Sequence, residues 1–119
     1  MVVYMSDLVR QQTKKCRTYG AEFLPSDSSL KVGVSNDLFS GAMPFNGLRH
    51  TPELGTTGWF LWSGIEFSND PDFFVPVHLY HLLERNSLIL QFLGLAPGWR
   101  FLTDGTYEDV WYDDRLLKM

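Results

Sequence analysis

The chain of 119 residues has one cysteine, Cys16, so it cannot close an internal disulfide. A lone cysteine fits a reducing compartment, and the expected location is the cytoplasm. No apolar run approaches the roughly 18 residues of a membrane span. The apolar start, Met1-Val2-Val3-Tyr4-Met5, has neither a basic flank nor a cleavage pattern, so no secretory leader is expected. There is no glycine-rich phosphate loop and no G-x-S-x-G elbow, which removes the usual motif-based arguments for an enzyme. Basic residues are scarce in one half: residues 58–114 hold only Arg85 and Arg100 against nine acids, whereas residues 1–57 hold six basic and five acidic side chains. Such an acidic half repels phosphate backbones, so no nucleic-acid partner is expected, and a basic partner would suit it.

Tryptophan is absent from residues 1–58. All four lie at Trp59, Trp62, Trp99 and Trp111, and residues 58–113 carry 13 of the 18 aromatics. Side chains this large must be buried or used for binding, so this half holds the core, a recognition surface, or both. The length and the ordinary 45% hydrophobic content predict a single domain over residues 1–119 with no metal or disulfide staple.

Ser6 can cap a helix starting at Asp7, in which Leu8, Gln12, Cys16 and Tyr19 form a weak apolar stripe and Gly20 is the stop. Pro25 to Ser29 reads as a loop, completing an N-terminal unit over residues 1–29. Leu30 to Ser35 alternates as a strand. Residues 36–57, broken by Gly41, Pro44, Gly47, Pro52 and Gly55, read as irregular, with a tight turn at Asn46-Gly47. Trp59-Phe60-Leu61-Trp62 reads as a central strand covered on both faces. Asp70-Pro71 resembles a helix start, leading to a stripe of Leu79, Leu82 and Leu83. Ser87 can cap a second short helix from Leu88 to Leu93. Two strands joined at Asp104-Gly105 follow as a two-residue hairpin, with Trp99 and Phe101 sharing a face. On its second strand Val110 and Tyr112 share one face, and Asp109, Trp111 and Asp113 the other. The expected fold is α+β: a mostly antiparallel sheet of about four strands with an N-terminal helix, a central helix pair and a C-terminal hairpin.

Four clusters could carry chemistry. His78, His81 and Glu84, spaced three apart on an expected helix, could share a metal, although closed zinc sites need four ligands. Glu108, Asp109, Asp113 and Asp114 gather carboxylates, but alternation splits Glu108 from Asp109 and Asp113, and an acidic edge strand that resists aggregation explains them as well. Arg49 and His50 lie where a loop could meet an anion or a partner carboxylate, or where Arg49 could clasp the structure locally. Cys16 sits near Lys14, Lys15 and Arg17, but its place on the apolar stripe favours an inert thiol.

Lys31-Val32-Gly33-Val34, Asn46-Gly47-Leu48-Arg49-His50, Gly58 through Gly64, Asp72-Phe73-Phe74, His78 through Leu82, Pro97 through Leu102 and Tyr107 through Asp113 occur in that order. Over roughly residues 30–117 this succession resembles a bacterial family of immunity proteins from polymorphic toxin systems, immunity family 33 and its relatives. Gly98-Trp99-Arg100-Phe101-Leu102 and Glu108-Asp109-Val110-Trp111 are its most specific parts. The resemblance implies a non-enzymatic, cytoplasmic protein that binds and neutralises a cognate toxin. It implies no cofactor and brings no catalytic residue. Contacts are expected from Trp111, Asp109, Asp113, Arg49 and His50, docking on a basic toxin surface. The competing expectation is a small-ligand or metal-binding domain using His78, His81 and His50.

Overall fold

A computed structural model describes residues 5–35, 37–38, 40, 42–64, 72–83 and 87–118. Helix α1 (Met5–Tyr19) begins two residues ahead of the expected start, with Asp7 in its first turn and Arg17 in its last. Both charges suit the helix dipole. Six strands follow: β1 (Lys31–Ser35), β2 (Phe45–Arg49), β3 (Thr56–Ser63), β4 (Phe74–His78), β5 (Trp99–Thr103) and β6 (Glu108–Tyr112). They form one sheet in the order β4-β1-β3-β2-β5-β6. β1 and β3 run parallel, and every other pair is antiparallel.

The sheet therefore has six strands rather than about four. One extra strand, β2, lies in the stretch expected to be irregular, and Asn46-Gly47 is part of it rather than a turn. All five of its residues are buried, because β3 and β5 flank it and both faces are covered. Gly47 is needed there, since a Cβ at this position would collide with the ring of Phe101 on β5. The other, β4, occupies part of the expected helical region. Asp70-Pro71 lies outside the described residues. The expected central helix pair shrinks to a 3-10 turn at Leu79–Leu82 and one α-helical turn, α2 (Ser87–Leu90). The C-terminal hairpin is present, but four residues separate β5 from β6. Asp104 organises that loop by accepting from the N–H groups of Thr106 (2.9 Å) and Tyr107 (2.7 Å).

Alternation divides the apolar residues between the two faces of the sheet. On one face Val32, Val34, Trp59, Leu61, Phe101 and Val110 meet α1 and the segment after α2 in the main core. Polar contacts fix α1 there: the Gln12 side chain donates to the Leu90 carbonyl at 2.9 Å, and the Cys16 thiol to that of Gly94 at 3.3 Å. Burial pushes the Cys16 thiol pKa up, so it stays protonated and inert. On the other face Leu48 and Trp62 pack with Phe60, Phe73 and Phe74, and Leu116 from a C-terminal 3-10 turn (Asp114–Leu117) covers them. Trp59 and Trp62 are buried as expected, and Trp99 is half-buried against the main core. Among the described residues no helix is long and apolar enough to cross a membrane.

Candidate functional site

Arg49 ends β2 on the main-core face and is 1% exposed. Its Nε donates to the Thr57 carbonyl at 2.9 Å, and its Nη1 to those of Leu24 and Leu95 at 2.8 Å each. The guanidinium also lies 5.6 Å from the Trp59 ring centre. Burial lowers its pKa to about 10, which leaves it charged at neutral pH. Of its two expected roles, the geometry matches the clasp: Arg49 ties β3, the loop after α1 and the segment before β5 together from inside. A partner cannot reach it in the folded state.

His50, the next residue, faces the opposite side and is half-buried. Its Nδ1 is 3.1 Å from the Leu116 carbonyl, and its ring meets Phe60 edge-on at 5.4 Å. It forms part of the wall of an apolar cavity of about 440 Å³, with Gly33, Glu53, Phe74, Pro76 and Leu117. Beside it, the Glu53–Thr56 turn holds Leu54 fully in solvent.

The remaining expected contacts lie at the far end of the sheet. Asp109 is exposed, and Trp111 is half-buried on the same face. The Arg100 guanidinium from β5 lies 5.3 Å from the Trp111 ring centre, as the cross-strand register of Arg100 with Trp111 dictates. Arg100 Nε is buried there without a hydrogen-bond partner among the described residues. Asp113 is 9% exposed and already engaged. It accepts from Arg115 Nε at 2.8 Å and Nη2 at 2.9 Å, and from Arg100 Nη1 at 3.3 Å. It also accepts from the Arg115 backbone at 3.2 Å, capping the C-terminal turn. Arg115 above all, with Arg100, holds the Asp113 carboxyl far below the usual carboxylate range. Asp113 thus latches β5, β6 and the C-terminal turn together, and Asp109 is the free acid of the pair. Tyr112, expected on the same face as Val110, is 51% exposed there and packs edge-on against Trp99 at 5.6 Å.

Glu108 points the other way, as alternation required. Lys15 Nζ lies 2.9 Å from both of its oxygens, and Tyr19 donates to it at 2.6 Å. Burial raises the Glu108 pKa, but these two hydrogen bonds outweigh it and the net shift is downward. The shared bond to Glu108 pushes Tyr19 up to about 12. Because Glu108 and Asp113 are both depressed, the unfolded chain takes up protons before the folded one. Their stabilisation is full above the ordinary carboxylate pKa of about 4 and is lost as the pH falls through their lower folded values. Urea midpoints measured between about pH 5 and pH 2 should therefore fall steadily, and Glu108→Gln should flatten the upper part of that slope. Tyr19 acts at the other end: its contribution is lost as pH rises from near 10, its ordinary value, through about 12.

The metal alternative finds no support. His78 ends β4 and His81 lies in the following 3-10 turn, so they do not share a helix face. Their ring centres are 6.3 Å apart, and Tyr80 stacks on His78 at 5.3 Å. Neither lines the cavity that His50 lines. Glu84 lies outside the described residues. Among the described residues no three His, Cys, Asp or Glu side chains gather to hold a metal.

These placements define a small α+β domain whose distinctive surface is the acidic, aromatic end of a sheet braced from within. The chain belongs to the Imm33-like family: the model of the Imm33-like domain matches residues 11–113. No curated protein and no solved structure matches it.

Proposed function

We propose that the protein is an immunity protein that binds a cognate bacterial toxin and neutralises it by occupancy rather than by catalysis. The carrying observation is the Imm33-like match over most of the chain. The β5–β6 end of the sheet is the contact surface in this reading. Its exposed Asp109 and Tyr112, with half-buried Trp111, offer acids beside aromatic area, and the half of the chain that supplies them holds two basic residues against nine acids. That pattern favours a toxin with a basic docking surface, steered by charge and held by aromatic burial. The cytoplasm, where a lone buried thiol stays reduced, is the compartment this reading assigns.

Co-expression with the growth-inhibiting products of neighbouring genes tests the role, and restored growth against one of them is the expected result. Failure of every neighbouring toxin to bind would refute it. Asp109→Lys tests the surface: association with the toxin should slow about tenfold at low ionic strength and the difference should shrink with added salt. An unchanged association rate would remove this surface from the reading. Asp113 is unsuitable for that test, because reversing it breaks the Arg115 and Arg100 contacts.

A further inference from the structure

The two edges of the sheet are finished differently. At one end, the Leu79 N–H bonds the Leu30 carbonyl at 2.9 Å, which sets the hydrogen-bonding phase of β4 against β1. Alternation then turns the backbone of Val75 and Val77 inward and that of Phe74, Pro76 and His78 outward. Pro76 has no N–H to offer at the middle of that edge, so β4 cannot template a further strand there.

At the other end, Asp113 N–H bonds the Gly98 carbonyl at 2.7 Å and Asp104 N–H that of Tyr107 at 3.1 Å. This phase turns Asp109 and Trp111 toward β5 and leaves the N–H and C=O groups of Glu108, Val110 and Tyr112 pointing away from the sheet. Among the described residues no segment hydrogen-bonds these outward groups. No proline interrupts them. Of the exposed charges along and beside this strand, Arg115 is matched by Asp113 and Lys118 by Asp114, which leaves the acids Asp104 and Asp109 without an ion-pair partner among the described residues. A second copy of this chain would bring two such acidic edges together, which like-charge repulsion opposes.

We infer that β6 is the site at which the toxin adds a strand to the sheet, and that the added strand carries lysine or arginine side chains opposite the acids of this edge. Main-chain bonds to Glu108, Val110 and Tyr112 would give affinity, and the flanking acids would select a basic strand. This rests on the immunity reading above and deepens it.

Amide hydrogen exchange on the full chain supplies the test, alone and with an inactivated form of the toxin that the co-expression experiment identifies. Alone, the amides of Glu108, Val110 and Tyr112 should exchange faster than those of Asp109 and Trp111; equal protection would overturn the open edge. In the complex the three should slow at least tenfold. Tight binding without that slowing overturns strand addition and leaves the immunity reading standing, whereas no binding overturns both. Tyr112→Pro removes an outward N–H, and Tyr112→Ala removes only the ring. The proline variant should bind about fivefold more weakly than the alanine variant, the scale of one lost main-chain hydrogen bond. Equal affinities would overturn the proposal. If the proline variant does not fold, the exchange pattern of the unaltered protein decides.

Discussion

Replacing Arg49 with alanine is expected to lower the free energy of unfolding by about 3 kcal/mol, among the largest effects available to one substitution here. The buried carbonyls of Thr57 and Leu95 and the part-buried one of Leu24 lose their donor at once, and a cavity opens beneath Trp59. Part of that loss is offset because a buried cation no longer has to be desolvated. Arg49→Met separates the causes, since it keeps the stem and volume but removes the charge and donors. If the guanidinium is the clasp, urea unfolding should show methionine nearly as destabilising as alanine. A methionine variant as stable as the parent would reduce Arg49 to a space-filler.

The second large effect is expected at Gly58. Its φ of 89° lies in the left-handed region, and a Cβ there would run into the backbone carbonyl of His50. That carbonyl belongs to a short ladder in which the His50 N–H bonds the Gly58 carbonyl at 2.9 Å, so neither strand can yield alone. Gly58→Ala should cost about 3 kcal/mol, combining backbone strain with a steric clash. Gly55 provides the control. Its φ of 84° is nearly the same, but a Cβ there meets nothing within 4 Å, so Gly55→Ala should cost only about 1 kcal/mol. Similar midpoints for the two variants in urea would show that the His50 carbonyl is not the obstacle. Because Gly58 and His50 both line the apolar cavity, the Gly58 variant should also shift the His50 ring resonances, which the Gly55 variant should leave in place.

The elements legible in the sequence are those whose burial leaves a period. α1 shows one stripe, β1 alternates, Trp59 through Trp62 is covered on both faces, and the hairpin carries Asp104-Gly105. β2 leaves no period, because its five buried positions include an asparagine, a glycine and an arginine whose polar groups are met inside. Asn46 Nδ2, for example, donates to the Gly64 carbonyl at 2.7 Å. β4 was hidden by Pro76, which reads as a helix start or a breaker until the sheet order places it at an edge. The candidate site followed the same logic. Alternation along β6 correctly grouped Asp109 with Trp111 and set Glu108 on the other face, because a strand's side-chain period survives wherever the strand is placed. It could not tell that Asp113 would be held by two arginines, since Arg100 reaches it only across the hairpin. Nor could it foresee that Arg49 would be interior, since its three acceptors come from segments far apart in the chain.

The unequal edges of the sheet also bear on stoichiometry. A chain with two open edges can take a neighbour on each side and so propagate a fibre, but Pro76 closes β4. Association through strands can therefore proceed at one end only, and any assembly built that way stops at a pair. In the immunity reading proposed above, that one-to-one limit would let its concentration be matched to the toxin's without the risk that surplus copies polymerise.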